Sequence, residues 1–453
     1  MAYDYQHGCA VSPNAPEGSL EAKLSYVDNG CRRSDPERYY TPEFMQREAD
    51  QLWSRTWLIA CVESDIPASG DYSVFRLLRE EFIIVRQPDG SVKAFFNVCA
   101  HRGNRLVHND RGFVGQFNCT FHSWQYTLDG KLKAITDEET FRPEVVCHRP
   151  GLKSVRCETL AGLVFINLDP QAPPLTERIG LPPGYLEAYQ IDKMNVVRHV
   201  VSEWAANWKT GIDAFYETYH LHAVHPETQG VMADLDVQFD LYPHGASRMI
   251  VPIGQKSSRI HDPAAMDPGL VYLMNAEGMD AAGFSGDARD VRRALAKHKR
   301  CRAVGLGFDY SHFTDGQLTD SWATGIFPNV QIGCHPEGVF LMRFLPHPSD
   351  PERFFYDTMT LFRGAEDPSY QAPGWMGLPD DTDLSGATRP DTEYVGVGED
   401  ADLGLVLEQD AALLPVLQRG IRSRAFDGPL WSEQEQRLRH FHTELDRYLA
   451  QEK

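Results

Sequence analysis

The sequence has no run of eighteen apolar residues, and its first residues contain no basic stretch followed by an apolar one. A membrane-spanning helix needs about 20 predominantly apolar residues, and an export signal needs a basic and then an apolar stretch. We therefore expect neither membrane insertion nor export, and we expect a cytoplasmic protein.

Basic residues are few relative to acidic ones. The chain has 44 Lys and Arg against 64 Asp and Glu, which gives a net charge of −20. This excess of negative charge disfavours nucleic acid as a partner because the phosphates would be repelled. A GxGxxG motif after a strand is also missing, so we expect no nicotinamide or flavin nucleotide site in this chain.

A disulfide framework is not expected either. The nine cysteines are an odd number scattered along 453 residues, which is typical of reduced thiols and metal ligands. A length of 453 residues exceeds that of one ordinary domain, and a composition of 42% hydrophobic and 24% charged residues is typical of globular proteins. We therefore expect two domains with sizeable cores.

The hydrophobic pattern changes along the chain. Residues 82–86 and 92–98 flank one turn, and residues 121–127 and 131–135 flank another, which predicts two β-hairpins in a small antiparallel domain. The later part mixes both element types, with strands predicted at 196–203, 322–332, 338–345 and 354–362, and helices at 208–221, 405–421 and 432–449. We place an N-terminal arm at 1–45, the β domain at 46–170 and a second domain at 171–453.

Two short Cys/His pairs lie in loops of the predicted β domain. The pairs Cys99-Ala100-His101 and Cys119-Thr120-Phe121-His122 place two thiols and two imidazoles on two hairpin tips. Such a set can bind a [2Fe–2S] cluster, with both cysteines on one iron and both histidines on the other. It can also bind structural zinc, and without a metal it would be two buried cysteines and two surface histidines.

Three histidines and two carboxylates are concentrated in residues 207–226. On a helix over 208–221, Glu217 and His220 share one face because they are three positions apart. Since Pro226 prevents much continuation of the helix, His225 lies near its end and can fold back toward His220. Two imidazoles with a carboxylate behind one of them are a candidate metal site.

Both groups of residues resemble the large subunits of the Rieske non-haem iron ring-hydroxylating oxygenases. The Cys/His spacing is that of the Rieske domain, and Arg102-Gly103 follows the first pair as it does in that family. The family also has Asn-Trp-Lys and then an acidic residue three positions before two histidines, which matches Asn207-Trp208-Lys209, Glu217, His220 and His225. The resemblance covers nearly the whole chain and implies an α+β fold, with a Rieske antiparallel β domain before a helix-grip catalytic domain.

The resemblance implies a ligand set for each of two cofactors. Cys99, His101, Cys119 and His122 would bind the [2Fe–2S] cluster. A mononuclear Fe(II) would be bound by His220, by His225 and by a late acidic residue near the start of the helix at 405–421. We predict Asp410 as this third ligand, with Asp402 and Glu408 as alternatives.

The resemblance also implies roles for residues around the iron ligands. Glu217 would connect His220 to His122 of the partner subunit for electron transfer, which requires a head-to-tail homotrimer. Asp213, one helical turn before Glu217, is a candidate for a residue that supports the ligands from behind. We expect His222 to be a packed or surface histidine without a catalytic role.

By this resemblance the protein is a terminal oxygenase component. It would receive electrons from an NAD(P)H reductase, directly or through a ferredoxin, and oxidise a small hydrophobic, aromatic substrate with O2. Monooxygenation and dioxygenation both stay open, and a small beta subunit could accompany the trimer. One alternative is an oxidative N- or O-dealkylating monooxygenase, since Glu at 217 resembles members that oxidise alkylamines where others have Asp. The other is an electron-transfer or redox protein without oxygenase activity.

Overall fold

A computed structural model describes residues 9–365, 370, 372, 378–379 and 382–450. Contacts between residues divide the chain into two compact units. One unit consists of the described residues up to Glu48 together with those from Ile179, and the other is Ala49–Arg178. The bounds expected from the sequence for the β domain are 46–170.

The unit Ala49–Arg178 is built mainly from antiparallel strands. Its strands are β1 (Leu58–Val62), β2 (Asp71–Leu77), β3 (Glu80–Arg86), β4 (Val92–Phe96), β5 (Arg111–Phe113), β6 (Phe117–Asn118), β7 (Gln125–Tyr126), β8 (Leu132–Ala134), β9 (Ser154–Leu160) and β10 (Leu163–Asn167). They form a seven-stranded sheet in the order β1-β10-β9-β4-β3-β2-β5 and a three-stranded sheet in the order β6-β7-β8. Buried aromatic and aliphatic side chains such as Phe95, Phe117 and Tyr126 pack into one core that also contains Cys99 and Cys119.

The other unit is organised by one eight-stranded sheet. Its strands are β11 (Asn195–Trp204), β12 (Gln238–Leu241), β13 (Ser247–Val251), β14 (Ser321–Ile326), β15 (Val330–Cys334), β16 (Gly338–Pro346), β17 (Phe354–Phe362) and β18 (Glu393–Val395). The order is β12-β13-β14-β15-β16-β17-β11-β18, in which every neighbouring pair is antiparallel except β11 with β18.

Helices of both units complete the fold. They are α1 (Pro42–Glu48), α2 (Pro143–Val146), α3 (Leu175–Arg178), α4 (Trp208–Phe215), α5 (Leu221–Val224), α6 (Pro268–Ala276), α7 (Val291–Ala303), α8 (Asp315–Thr319), α9 (Leu405–Ile421) and α10 (Gln436–Leu449). Of the described helices, none is long and apolar enough to cross a membrane. The antiparallel sheets with separate helices confirm the predicted α+β class.

Helix α4 lies directly on the large sheet. Asn207 caps its first turn by accepting a hydrogen bond from the Lys209 N–H over 3.0 Å. A Cβ at Gly211 would lie within 2.9 Å of the rings of Phe344 and Phe354, which project from β16 and β17. Glycine is therefore needed at 211 because the helix approaches the sheet so closely. This contact fixes the height of α4 above the strands.

The predicted helix over residues 208–221 is wrong in its second half. Helix α4 ends at Phe215, a turn follows, and α5 begins at Leu221. The physical reason is that the Glu217 carboxylate accepts hydrogen bonds from the backbone N–H groups of Tyr219 and His220. A side chain that binds nearby backbone N–H groups competes with the helical hydrogen bonds.

Two predicted strands also differ from the structure. The strand expected over 322–332 is two strands, β14 and β15, which form a hairpin around Phe327–Asn329. Pro328 within this turn is incompatible with a central strand because it has no N–H to donate. The strand expected over 121–127 is reduced to Gln125–Tyr126, since the residues before it form a tight loop.

Candidate metal centres

The two Cys/His pairs of the smaller unit lie in loops with the same backbone hydrogen bonds. The Cys99 carbonyl accepts from the Gly103 N–H over 3.0 Å, and the Cys119 carbonyl accepts from the Ser123 N–H over 2.9 Å. In each loop the cysteine N–H donates in return to the carbonyl five positions later. Gly103 and Ser123 both have positive φ, at 76° and 57°. A repeated turn therefore presents each cysteine in the same way, whereas His101 lies two positions and His122 three positions after its cysteine.

The loops bring the two imidazoles of these pairs together. The ring centroids of His101 and His122 are 4.7 Å apart, and His101 stacks on Trp124 at 4.7 Å with an interplanar angle of 5°. The Nδ1 atoms of both histidines are buried and make no hydrogen bond. Cys99 and Cys119 are buried beneath them. Two unpaired Nδ1 atoms and two thiols are the donor set that a Rieske-type [2Fe–2S] cluster requires.

The surroundings of the two thiols differ. Burial alone would raise the pKa of Cys119, but the backbone N–H groups of Phe121 and His122 lower this pKa below its ordinary value. Burial raises the pKa of Cys99, whose sulfur lies 3.2 Å from the Tyr126 hydroxyl. Thiolates are the form that binds metals, so the loop around Cys119 already favours the ligating state.

In the larger unit, the turn after α4 positions His220. One oxygen of the Glu217 carboxylate lies 2.5 Å from His220 Nδ1, while the other accepts from the His220 N–H over 3.1 Å and from the Tyr219 N–H. Glu217 is buried. This carboxylate therefore fixes both the turn and the direction of the imidazole. Glu217 and His220 are neighbours, as the sequence predicts. However, a turn and not a continuous helix brings them together.

Helix α9 brings a carboxylate to the same place. Asp410 Oδ1 lies 3.2 Å from His225 Nε2 and 3.8 Å from His220 Nε2. One potential ligand atom from each of the three residues lies within 4.8 Å of the others, and no second such group of His, Cys, Asp or Glu occurs among the described residues. Both Asp410 and His225 are buried, and Nε2 of His225 makes no hydrogen bond.

Gln409, for which the sequence predicted no role, contacts the remaining ring nitrogen of His225. The Gln409 Oε1 atom lies 2.5 Å from His225 Nδ1. An amide oxygen only accepts hydrogen bonds, so the imidazole carries its hydrogen on Nδ1 and turns the Nε2 lone pair toward Asp410. Glu217 does the same for His220. The position of Gln409 next to Asp410 is the signal in the sequence from which this role could have been found.

The carboxylates also affect the pKa values of the two histidines. Burial lowers the pKa of His220, but the hydrogen bond and charge of Glu217 and the charge of Asp410 raise it above its ordinary value overall. Burial likewise lowers the pKa of His225, and Asp410 and Gln409 together raise it above its ordinary value. Without a metal, both rings therefore attract a proton.

This set of donors fits mononuclear iron. Two histidines and one carboxylate on one face of a metal leave the opposite positions open, and this arrangement is typical of non-haem Fe(II) in oxygenases. The unpaired His225 Nε2, the two Nδ1 atoms held by the protein and the buried carboxylate of Asp410 all agree with such a metal.

The other predicted residues of this region lie elsewhere. Asp402 and Glu408, the alternative third ligands, are exposed. The Asp213 carboxylate accepts from the Tyr39 hydroxyl over 2.7 Å and lies 2.9 Å from His442 Nε2. His222 Nδ1 lies 2.8 Å from the Tyr219 carbonyl.

Each of the two units matches a known protein-family profile. The sequence profile described as "Ring hydroxylating alpha subunit (catalytic domain)" matches residues 191–451, and the profile described as "Rieske [2Fe-2S] domain" matches residues 56–154. The first profile covers more than half of the chain. The Rieske match supports the iron–sulfur interpretation of the two Cys/His pairs over the zinc interpretation.

Individual relatives include both monooxygenases and dioxygenases. The chain is 30% identical over 202 residues to the glycine betaine monooxygenase oxygenase subunit of Pseudomonas aeruginosa (strain UCBPP-PA14), covering 44% of this chain and 47% of that protein. It is 29% identical over 243 residues to the biphenyl 2,3-dioxygenase subunit alpha of Rhodococcus jostii (strain RHA1), covering 52% and 53%. The chain thus spans about half the length of these curated relatives.

A solved structure with the same fold extends over nearly the whole chain. Naphthalene 1,2-dioxygenase with indole bound superimposes with a TM-score of 0.66 at 19% identity, covering 94% of this chain and 93% of that chain. Because the catalytic-domain profile matches more than half of the chain, the chain belongs to the ring-hydroxylating alpha subunits, a family that combines a Rieske [2Fe–2S] domain with a catalytic domain for mononuclear non-haem iron.

Proposed function

We propose that the protein is the terminal oxygenase component of a multicomponent Rieske oxygenase. The observation that carries this proposal is the convergence of one potential ligand atom from each of His220, His225 and Asp410 within 4.8 Å of the others. Bound iron would supply the reductive activation of O2 and the transfer of oxygen to a small organic substrate. The four cluster ligands would be Cys99, His101, Cys119 and His122.

The side chains of this centre have separate tasks in the proposal. His220 and His225 bind the metal through Nε2, and Asp410 contributes the only ligand charge. Glu217 and Gln409 hold the two Nδ1 atoms and so prevent the rings from rotating away. Burial of His225 and Asp410 keeps bulk water from that side of the metal.

Electrons must reach the cluster from another protein, because the sequence has no nucleotide-binding motif. We propose an NAD(P)H reductase as the donor, with or without a ferredoxin. The second transfer would pass from the partner subunit's His122 through Glu217 to His220 in a head-to-tail homotrimer. A small beta subunit is compatible with this assembly.

Mixed assemblies test the proposed route between subunits. A Cys119→Ser chain would lack the cluster, and an Asp410→Ala chain would lack mononuclear iron. Neither should form product alone, but oligomers purified after co-expression with two different tags should regain activity. Inactive mixed oligomers with normal metal content, or a monomeric protein in solution, would contradict the route.

Two versions of the proposed function differ in their substrate. A small hydrophobic, aromatic compound would be hydroxylated by one or two oxygen atoms. An alkylamine would instead lose an alkyl group, and the similarity to glycine betaine monooxygenase together with Glu at 217 favours this second candidate.

Product analysis decides between these versions. The holoenzyme, a compatible reductase, NAD(P)H and ¹⁸O2 would be incubated with a panel of arenes and methylated amines. A labelled hydroxyl or diol on an arene supports ring oxidation, while aldehyde release from an amine supports dealkylation. Two cluster irons without additional ferrous iron per chain, and no product from any substrate, would favour an electron-transfer protein instead.

A further inference from the structure

A cavity lies beside helix α9, on a different face of the helix from Asp410. It has a volume of about 400 Å³ and is bounded by β11, by residues 396–403 and by α9. Its walls include Ser202, Trp204, Leu403, Leu407, Ala411 and Pro415. Leu407, Ala411 and Pro415 are spaced by four positions and form one stripe of α9, whereas Asp410, Leu414 and Gln418 form the buried stripe. None of His220, His225 and Asp410 lines the cavity.

Ser202 provides an unpaired polar group in this cavity. Its side chain is 2% exposed, and its hydroxyl has no hydrogen-bond partner. A buried hydroxyl without a partner is unfavourable, and such groups are uncommon in proteins. Because Ser202 also lines the cavity, a ligand with a hydrogen-bonding group at that depth would satisfy it.

The inner walls of the cavity are apolar. The Trp204 ring is 6% exposed and lies with its centroid 4.6 Å from that of Tyr356, which is the cross-strand neighbour of Ser202. Leu407 and Ala411 face it from a helix of seventeen residues. A short hydrocarbon chain would be removed from water here without reorganisation of the protein.

The rim of the cavity is acidic. Glu203, Glu399, Asp400 and Glu408 line it, and no lysine or arginine does so among its described lining residues. Glu203 is paired with Arg353 over 2.7 Å, but Glu399, Asp400 and Glu408 are exposed at the mouth. Their combined charge attracts cations and repels organic anions.

We propose that this cavity binds a small organic ammonium ion that carries a second polar group at the far end of a short hydrocarbon chain. The ammonium group lies among Glu399, Asp400 and Glu408, the chain lies against Trp204 and Leu407, and the distal hydroxyl or amide pairs with the Ser202 hydroxyl. This site is additional to the iron centre and does not depend on which substrate is oxidised.

Isothermal titration of the holoenzyme with four matched compounds tests the proposal. The probes are 5-aminopentan-1-ol, pentylamine, pentane-1,5-diol and 5-hydroxypentanoate, each titrated to about 10 mM, the range of weak small-ligand binding. The amino alcohol should bind most tightly, the amine and the diol more weakly, and the carboxylate not at all. Equal binding of the carboxylate, or no binding of the amino alcohol, would overturn the proposal.

Variants locate the binding site. Ser202→Ala should weaken binding of the amino alcohol about fivefold and leave pentylamine unchanged, because only one hydrogen bond is lost. Glu408→Gln should weaken both ammonium compounds about twofold, while Glu37→Gln, at an exposed position elsewhere, should change neither. Ala411→Phe fills the cavity and should abolish binding.

Asp410→Ala separates this site from the iron centre, since binding of the amino alcohol should persist without mononuclear iron. Circular dichroism and the visible spectrum of the cluster verify that each variant is folded. Loss of binding in Asp410→Ala, or unchanged binding in both Ser202→Ala and Ala411→Phe, would place the ligand elsewhere and contradict the proposal.

Discussion

The two candidate metal centres leave opposite nitrogens of their histidines for a metal. In the smaller unit, Nδ1 of His101 and of His122 is unpaired and buried, and Nε2 of His122 lies 3.1 Å from Arg102 Nη2. In the larger unit, Nδ1 of His220 and of His225 is held by the protein, and Nε2 turns toward Asp410. In the larger unit the acceptor at each Nδ1 therefore leaves Nε2 for a metal, whereas in the smaller unit Nδ1 is the unpaired nitrogen of both rings.

The centres also differ in the range of sequence from which they are assembled. Each cluster loop is closed by hydrogen bonds between residues four or five positions apart. In contrast, His225 and Gln409 are 184 positions apart and meet only because α9 packs over α4 and β11. Each Cys/His loop is therefore set by its own local turn, whereas the candidate iron site depends on the placement of one helix.

Removal of the helix-borne ligand should have the largest effect. Asp410→Ala should lose mononuclear iron and all product formation, because the two histidines alone give the metal too few ligands and no compensating charge. The cluster's visible and paramagnetic spectra should persist. Metal analysis and spectroscopy of the same sample measure both, with Glu408→Ala as the matched control on the same helix. Retained iron in Asp410→Ala would transfer the assignment to Asp402 or Glu408.

Glu217→Gln tests the carboxylate that orients His220. The amide keeps the shape and one acceptor but loses the charge, so both metals should be retained while electron delivery slows by about 10- to 100-fold. Stopped-flow measurement of cluster reoxidation in the presence of substrate and O2 follows the transfer directly. A reoxidation rate equal to that of the unaltered enzyme would eliminate Glu217 from the electron route.

Gln409→Leu makes the corresponding change behind His225. Without an acceptor at Nδ1 the ring can rotate or change tautomer, so iron should bind about tenfold more weakly. Gln409→Glu retains an acceptor and should keep most of the affinity. Competition for ferrous iron with a chelator measures this in both variants. Equal affinity in Gln409→Leu would mean that packing alone orients His225.

The pH dependence of metal uptake should differ between the two centres. We expect this effect to be smaller than the effects of the three substitutions. Because the pKa values of His220 and His225 are raised, both rings are protonated at a higher pH than an ordinary histidine, and iron must displace those protons. Burial, together with His122 and Arg102, instead lowers the pKa of His101. In metal-depleted protein, iron uptake at the mononuclear site should therefore fall several-fold as the pH decreases through the raised pKa values.

Reconstitution at stepped pH values, followed by iron analysis and by the cluster spectrum, measures the two centres separately. Cluster assembly should be less sensitive over the same interval because His101 stays neutral to a lower pH. Identical pH profiles for both centres would contradict the difference in histidine environments.

Some boundaries of the helices and strands follow from local sequence patterns, and others do not. Helix α9 follows the predicted bounds, and α10 lies within the helix predicted over 432–449, because apolar spacing is a local signal. The end of α4 at Phe215 was not predicted, since the competing hydrogen bonds of Glu217 have no periodic signature. Pro328 indicates a turn. The apolar residues on both sides of it nevertheless favour a single strand, which is why one strand was predicted.

By itself, the sequence determined the kinds of candidate ligand and their local spacing. The two Cys/His pairs and the pair of His220 and His225 need only short stretches of chain, so their chemistry can be read from residue types. Tertiary structure alone decided that Asp410 and not Asp402 or Glu408 meets those histidines, and that Gln409 holds one of them. The physical reason is that each of these contacts joins segments far apart in the chain, and only the packing of α9 on α4 and the sheet brings them within hydrogen-bonding distance.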